Sequence, residues 1–287
     1  MHDAHPRLLE WQLRLHGQAP RVQAGTYELE AGATVQDVLE QINSGRVVLE
    51  QLTIVEGWTF AQMRAAVDAD AALVHETRGM TDAALMHSLG SEGLPAEGRF
   101  FPDTYRFAAG TTDRRVYAQA LQRMAERLAA EWEAREPGLP VGDASQALAL
   151  ASIIEKETGR EDERDKVAAV FVNRLRQGMR LQSDPTVIYG LGSRYDGNLR
   201  RRDLEADTPY NSYTRAGLPP TPIALPGAAS LHSALHPAHI DALYFVATGA
   251  GDGSHHFSAN YAEHSHALLQ YLKRIGARPD AAARGGG

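Results

Sequence analysis

Cysteine is absent from the 287 residues of this chain, which excludes disulfide bonds and thiolate metal sites. The cellular compartment stays open, because many exported proteins also have no cysteine. A basic surplus is absent too: the formal net charge is -7, and the sequence shows no electrostatic footprint for nucleic acid. No run of about 18 apolar residues occurs, so the sequence predicts neither a membrane span nor a signal peptide.

What is present is the composition of a globular protein. Hydrophobic residues make up 43% of the chain, which is enough for a buried core, and the length allows one large domain or two smaller ones. No internal repeat is found, and the only biased tract is the Ala- and Gly-rich C-terminus, where residues 279–287 are predicted to form a disordered tail.

The most strongly patterned stretch runs from Asp143 to Gly190. Asp143 is expected to cap a helix, with Gln146 completing a capping box, and the helix is expected to end near Thr158. The residues predicted to face the core from this helix are Ala147, Leu150, Ile153 and Ile154.

Two acids in the last turn of this helix are not equivalent. Glu157 falls on the apolar stripe, whereas Glu155 lies on nearly the opposite side. A carboxylate on an apolar stripe loses hydration, which raises its pKa as a general acid requires. Glu157 is therefore the first candidate for catalysis. The alternative is that both acids are simply solvated at a helix end.

A second amphipathic helix is predicted after Gly159, ending at Gly178. A short polar segment follows, from Leu181 to Tyr189. Side-chain amides, hydroxyls and aromatic rings are the groups that hold sugars, so this segment is a candidate cleft wall. An ordinary polar loop is the alternative. Its candidate residues are Gln182, Ser183, Asp184, Thr186 and Tyr189.

The flanking sequence predicts an α+β fold. A strand is expected at Val47–Val55, a long helix at Asp113–Glu136, a hairpin within Leu243–Ser258 and a last helix at Tyr261–Ile275. Between them, Asn198 to Pro226 loses regular periodicity, and so long an irregular segment in a compact domain is usually functional.

Several long motifs follow one another along the chain. They include AGTYELEAGATVQDVLEQINSGR, EGRFFPDTYRF, ASIIEKETGREDERDKVAAVFVNRL, RLQSDPTVIYGLG, ADTPYNSYTRAGLPPTPIALPG and LYFVATGAGDGSHHFSAN. Together they span nearly the whole chain, and they closely resemble the endolytic lytic transglycosylases of the YceG-like (MltG) family.

The resemblance implies a specific domain organisation. Residues 1–70 are expected to form a small LysM-like α/β module, incomplete at its N-terminus. Residues 71–278 are expected to form the YceG-like catalytic domain, a mixed, largely helical, lysozyme-like domain with a small β-hairpin.

The resemblance also implies the reaction and the site. Glu157 would act as the acid and then as the base that cleaves the MurNAc-GlcNAc β-1,4 bond without water, which leaves 1,6-anhydroMurNAc ends and sets glycan chain length. Further substrate contacts are expected from Glu155, Thr158, Asn211 and Tyr213. Arg99 stands where the family pattern has an aromatic residue, which weakens a sugar-stacking role there. No cofactor is implied.

Partners and location follow from the same resemblance. The substrate would be peptidoglycan glycan strands, and association with peptidoglycan synthases is expected. The family carries a single-pass inner-membrane anchor with the enzyme in the periplasm. Because no such anchor is found in this sequence, the chain is expected to be the soluble part.

A histidine-rich tract offers possible metal ligands near the C-terminus. His255, His256, His264 and His266 lie within twelve residues. However, His264 and His266 point to different faces of a helix and no HExxH pattern occurs, so no metal site is expected.

Two other function classes stay open on the residues alone. A hydrolytic muramidase would need a second essential carboxylate, for which Asp184 is the best candidate, and would yield reducing ends. A peptidoglycan-binding scaffold would bind glycan without turnover, whether or not Glu157 is intact.

Overall fold

The computed structural model of the protein describes residues 27–44 and 47–276. Within these ranges, no helix is both long enough and apolar enough to cross a membrane. The N-terminal helices and strands are α1 (Val35–Ser44), β1 (Leu49–Thr53), α2 (Phe60–Ala69), α3 (Asp82–Ser88), β2 (Thr104–Ala108) and α4 (Asp113–Ala134). The remaining ones are α5 (Ala144–Glu157), α6 (Arg164–Arg176), α7 (Asp184–Leu191), α8 (Arg201–Glu205), α9 (Ala228–Leu235), β3 (Tyr244–Ala247), β4 (His255–Ser258) and α10 (Tyr261–Arg274).

Two small antiparallel sheets accompany these helices, so the fold is α+β as predicted. β1 pairs with β2, with Leu52 opposite Tyr105, and β3 pairs with β4, with Phe245 opposite Phe257. The second pair is the hairpin that the sequence predicts.

The larger hydrophobic core surrounds α5. All eight residues from Ala147 to Ile154 are buried, including Ser152, whose hydroxyl accepts a hydrogen bond from the Ile223 amide at 3.0 Å. Helices α4, α6 and α9 pack against it. The prediction of a single core-facing stripe is therefore too narrow, because a helix that is apolar on all sides is buried on all sides.

A second hydrophobic core lies under β1 and β2. Phe100 stacks on Phe60 with ring centroids 5.0 Å apart and meets Tyr117 edge-on at 5.7 Å. Phe100 is fully buried, so this aromatic contributes to the core rather than to a sugar-binding wall. This second core contains residues on both sides of the predicted domain boundary at residue 70, and it also contains Leu225.

The ends of the two central helices form where the sequence predicts. The Asp143 carboxylate accepts a hydrogen bond from the Gln146 amide at 2.8 Å, which begins α5. The Gln146 side chain binds the Gly142 amide instead of completing the box on Asp143. Gly178 ends α6 with φ +65°, and the Met179 amide bonds the Arg174 carbonyl at 2.9 Å, a Schellman motif.

The segment predicted as a polar stretch before Tyr189 is largely helical. Ser183 occupies the N-cap position of α7, and Pro185 lies in the first turn, where a missing amide hydrogen costs nothing. The irregular region after Asn198 contains only the short helix α8. Residues 1–26 of the predicted first module and the predicted tail at 279–287 lie outside the described residues.

Candidate functional site

Glu157 is the last residue of α5, and its side chain reaches the start of α7. The carboxylate is half-buried, and its Oε1 accepts a hydrogen bond from the Ser183 hydroxyl at 2.5 Å. Its side chain thus contacts α7, and the assignment of Glu157 as the catalytic acid stays a prediction.

Burial raises the pKa of Glu157 from 4.5 to about 7. The Ser183 hydrogen bond opposes this because it stabilises the charged form, the negative charge of Asp184 adds to the increase, and the positive charge of Arg174 opposes it. A carboxyl with a pKa near 7 is populated in both protonation states at neutral pH. It can therefore donate a proton and take one back.

Ser183 is itself held in place on both sides. Its amide donates to the Ser212 hydroxyl at 2.9 Å, and the Thr186 hydroxyl donates to its carbonyl at 2.7 Å. The preceding residue, Gln182, adopts φ +51°, a left-handed conformation that is uncommon for a residue with a side chain. Such backbone often occurs where a site fixes its geometry.

Asp184 and Tyr213 form a pair beside this carboxyl. Asp184 is exposed, and its Oδ1 accepts a hydrogen bond from the Tyr213 hydroxyl at 2.6 Å. Burial, together with this bond to Asp184, raises the pKa of Tyr213 above its usual range, so the phenol stays protonated. Asp184 is thus an accessible carboxylate close enough to Glu157 to influence its pKa.

Arg174 places a buried positive charge among these residues. Its guanidinium donates to the carbonyls of Leu181 and Leu243, each at 2.7 Å, and lies over the Tyr244 ring at 5.1 Å. It therefore fixes the chain just before Ser183 to the β3 end of the hairpin.

Tyr189 connects α7 to the second core. Its hydroxyl donates to Oε2 of Glu97 at 3.1 Å, and its ring packs edge-on against Tyr210 at 4.8 Å. Glu97 is 9% exposed, its Oε1 accepts the first amide of α2 from Phe60 at 2.9 Å, and burial raises its pKa to about 7.

Two predicted residues next to Glu157 bond backbone amides of the protein. Glu155 is half-buried rather than solvated, and its Oε2 accepts the Gly227 amide at 2.9 Å at the N-cap of α9. Thr158 is 5% exposed, and its hydroxyl accepts the Arg160 amide at 3.0 Å. The two acids of the last turn thus contact different parts of the protein, Gly227 and Ser183.

Asn211 and Thr186 are buried in the scaffold of the site. Asn211 is 1% exposed, and its amide donates to the carbonyls of residues 203, 204 and 206 while its oxygen accepts the Tyr213 amide. Thr186 is fully buried beside Ser212 at 2.8 Å. Thr186 thus holds Ser183 through its carbonyl, and Asn211 holds Tyr213 through its amide.

Three contributing residues are not among the predicted ones: Arg174, Ser212 and Glu97. The sequence does indicate Arg174. It lies three residues after Phe171 and seven after Val167, on the apolar face of its helix, where a charged side chain needs buried partners. Ser212 and Glu97 gave no such signal, since their partners are distant in sequence.

Comparison with known proteins gives a consistent result. The sequence model of the YceG-like family matches residues 2–270. The endolytic murein transglycosylase of Bacillus subtilis strain 168 is 31% identical over 267 residues, covering 87% of this chain and 73% of that protein. The endolytic murein transglycosylase of Streptococcus pneumoniae strain D39 is 28% identical over 284 residues, covering 88% of this chain and 51% of that protein. The chain thus spans about half the length of the pneumococcal protein.

A solved structure shares the fold. A 2.6 Å crystal structure of a YceG-like protein from Listeria monocytogenes superposes with a TM-score of 0.61 at 28% identity, covering 91% of this chain and 90% of that one. With the family model matching nearly the full length, this chain belongs to the YceG-like family.

Proposed function

We propose that this protein is an endolytic peptidoglycan lytic transglycosylase with Glu157 as its catalytic acid and base. The observation that carries the proposal is the Glu157 carboxyl itself, whose pKa is about 7 and which is oriented by Ser183. Relatives over most of the chain are endolytic murein transglycosylases, which gives this carboxyl its reaction class.

The proposed reaction needs one carboxyl in two roles. Protonated Glu157 gives its proton to the glycosidic oxygen between MurNAc and GlcNAc, and the bond from C1 to that oxygen breaks. The resulting carboxylate takes the proton of the MurNAc 6-hydroxyl while that oxygen bonds to C1. The products are a 1,6-anhydroMurNAc end and a free GlcNAc hydroxyl. No water is consumed, and Glu157 returns to its protonated state.

The surrounding residues suit the two roles. Ser183 fixes one carboxylate oxygen, which keeps the other in a defined direction. In the proposed complex the exposed Asp184 carboxylate faces the sugar and stabilises the positive charge that develops at C1. Tyr213 holds Asp184 in place by donating its hydroxyl to that carboxylate.

A hydrolytic muramidase is the second candidate, because Asp184 lies close enough to Glu157 to raise its pKa. A paired acid and carboxylate is the arrangement of ordinary glycosidases, in which the second group acts as nucleophile or activates water. Asp184 would then be essential and the products would carry reducing ends.

The test is mass spectrometry of the products from purified glycan strands. The transglycosylase predicts internal cuts with anhydroMurNAc ends, and it predicts that Asp184→Asn slows the reaction without changing the product. Reducing ends in the unmodified protein, with complete loss in Asp184→Asn, would establish the muramidase instead. Glycan binding with no cleavage at all would leave a non-catalytic scaffold.

We also propose the finer architecture and setting that the family resemblance implies. Residues 1–70 would be a LysM-like module and residues 71–278 a lysozyme-like catalytic domain. The enzyme would act on nascent strands in the periplasm, beside peptidoglycan synthases and tethered to the inner membrane, and its cuts would set strand length. Cleavage of newly labelled strands in preference to mature sacculi would support this setting.

A further inference from the structure

Helix α7 carries two residues of the site at its start and a polar contact to the rest of the protein near its end. Ser183 is its N-cap residue and Asp184 its first residue, whereas Tyr189 lies in its last turn. The Tyr189 hydroxyl donates to Oε2 of Glu97 at 3.1 Å. The contacts at the two ends of α7 together set where Ser183 meets Glu157.

The start of α7 is held by hydroxyl groups. The Ser183 amide donates to the Ser212 hydroxyl at 2.9 Å, and the Thr186 hydroxyl donates to the Ser183 carbonyl at 2.7 Å. Thr186 and Val187 are buried, so the middle of the helix is packed into the protein. A short helix that is fixed at its start still needs a contact at its end to fix its direction.

Glu97 provides that fixed point. It is largely buried, and its Oε1 accepts the first amide of α2, from Phe60, at 2.9 Å. Phe60 in turn stacks on Phe100 in the second hydrophobic core. Because the two carboxylate oxygens bond to α2 and α7, the Tyr189 hydroxyl is tied to a carboxylate that is itself held in place.

Tyr189 is held at its ring as well as at its hydroxyl. The ring packs edge-on against Tyr210 at 4.8 Å, and the Tyr210 hydroxyl lies 2.8 Å from the Thr221 hydroxyl. Burial, together with the negative charge of Glu97, raises the pKa of Tyr189 above its usual range, so the phenol stays protonated and can donate. A hydroxyl engaged in this way is not free to donate to a sugar.

We propose that Tyr189 and Glu97 are positioning residues for glycan cleavage: they fix the direction of α7 and thereby hold Ser183 against Glu157. The inference rests on the proposed function for its role in catalysis. Neither residue touches the substrate, and each acts through Ser183. The N-terminal helix α2 is thus coupled to the catalytic carboxyl by a chain of direct contacts that runs from Phe60 through Glu97 and Tyr189.

Loss of the Tyr189 hydroxyl should weaken the Ser183 hydrogen bond without exposing the acid. The buried middle of α7 keeps the helix packed, so Glu157 stays half-buried while its bond to Ser183 loses alignment. The charges that act on Glu157 come from Asp184 on α7 and Arg174 on α6, and neither is removed. The pKa of Glu157 should therefore rise, because its charged form loses part of a hydrogen bond.

The test is a double-mutant cycle of Tyr189→Phe and Ser183→Ala in the full chain. Phenylalanine keeps the ring that packs on Tyr210 and removes only the hydroxyl. The pKa of the Glu157 carboxyl is measured by NMR in protein that carries ¹³C-labelled glutamate, with Glu157→Gln to assign the signal. The rate of cleavage of purified glycan strands is measured on the same proteins.

A positioning role predicts that the two substitutions are not additive. Tyr189→Phe alone should raise the pKa of Glu157 and lower kcat about two- to tenfold, the size of one hydrogen bond, with little change in KM. In the Ser183→Ala background it should change neither the pKa nor kcat, because the bond through which it acts is already gone. Additive effects, or a rise in KM without a fall in kcat, would overturn the proposal.

Tyr105→Phe is the matched control, because it removes the hydroxyl of another buried tyrosine of the second core, which donates to the Phe101 carbonyl at 2.6 Å. It should lower Tm without moving the pKa of Glu157. The NMR titration does not depend on cleavage, so a protein that cuts no glycan would refute the proposed function alone. An unchanged Glu157 pKa in Tyr189→Phe would overturn the positioning role even where cleavage is observed.

Discussion

Burial and the hydrogen bond from Ser183 act in opposite directions on the pKa of Glu157, and burial has the larger effect. Burial makes the charged form of Glu157 costly, and the Ser183 hydroxyl partly compensates by donating to it. The balance leaves the pKa at about 7, between that of an ordinary carboxylate and that of a permanently neutral acid. For a group that must act in both directions, this is the useful range.

Removing the Ser183 hydroxyl should raise the pKa of Glu157 further. A hydrogen bond to a charged group contributes about 1.5–3 kcal/mol, and one pKa unit corresponds to about 1.4 kcal/mol. Ser183→Ala should therefore move the basic limb of the pH–rate profile of glycan cleavage upward by about one unit, together with a lower maximal rate.

The control is Ser265→Ala, which removes an exposed hydroxyl that bonds only to the Tyr261 carbonyl within α10. Its profile should match that of the unmodified protein. A basic limb that stays in place or moves downward in Ser183→Ala would show that Ser183 does not stabilise the charged acid.

At this scale the sequence distinguishes the two acids of the helix end, but it does not predict their partners. Helical spacing separates Glu157 from Glu155, and the two do contact different partners. The hydroxyl that donates to Glu157 comes from 26 residues further along, and the buried role of Asn211 depends on backbone carbonyls that no side-chain pattern encodes.

Among the structural elements, the turn at Glu97 and Gly98 links the two hydrophobic cores. Glu97 accepts the first amide of α2, from Phe60, and the Tyr189 hydroxyl from α7. Gly98 has φ +79°, and a Cβ added there would clash with the ring of Pro222 in the irregular region. The turn thus needs glycine for its conformation and also for the close approach of Pro222.

Gly98→Ala should destabilise the protein through both effects. Strain in the left-handed region costs about 1 kcal/mol, and overpacking typically adds about 1–3 kcal/mol. We expect a loss of about 2–4 kcal/mol in the free energy of unfolding, measured by urea denaturation.

Comparison with Gly93→Ala separates the cost of overpacking at position 98 from the cost of backbone strain. Gly93 has the same φ of +79°, but a Cβ added there would meet no atom within 4 Å. Gly93→Ala should therefore lower the free energy of unfolding only by the cost of the backbone strain. Equal losses in the two variants would mean that Pro222 moves aside without cost.

A helix or strand can be predicted from the sequence when the residues that determine it are close together along the chain. Caps and periodicity are local, so α4, α5, α6 and the hairpin are predicted closely. The sequence predicts a polar stretch in place of α7, because polar residues and Pro185 obscure a helix whose N-cap is Ser183. The pairing of β1 with β2 joins residues that are 51 positions apart at Thr53 and Thr104 and 59 apart at Leu49 and Ala108, which no local pattern reveals.

At the scale of the whole molecule, the buried carboxyl of Glu97 and the half-buried carboxyl of Glu157 tie stability to pH. Glu97 and Glu157 both have a pKa raised from 4.5 to about 7. A carboxyl with a raised folded-state pKa contributes stability that is fully present below pH 4.5 and is lost as the pH rises through about 7. The protein should therefore lose stability across this window even though it contains many acids on its surface.

Glu97→Gln should remove one of the two contributions. Each pKa unit corresponds to about 1.4 kcal/mol, so the unmodified protein should lose about 3 kcal/mol more than this variant between about pH 4.5 and pH 8. Urea denaturation at a series of pH values measures the difference. Glutamine keeps an acceptor for the Phe60 amide, the first amide of α2.

Glu126→Gln is the reference for this experiment, since Glu126 is an exposed acid on α4. Its stability should follow the unmodified protein across the whole pH range. A Glu97→Gln curve parallel to that of the unmodified protein would contradict the account of Glu97 as a buried acid.

The most direct test of the central claim compares glycan cleavage by Glu157→Gln and Glu155→Gln, followed by the rate at which new strand ends appear. Glutamine at position 155 keeps the acceptor for the Gly227 amide, so both variants should fold. General acid–base catalysis contributes about 10²–10⁴-fold, and we expect Glu157→Gln to lose at least that factor while Glu155→Gln stays within a few-fold of the unmodified protein. Loss of cleavage in Glu155→Gln with activity retained in Glu157→Gln would contradict the assignment of the acid.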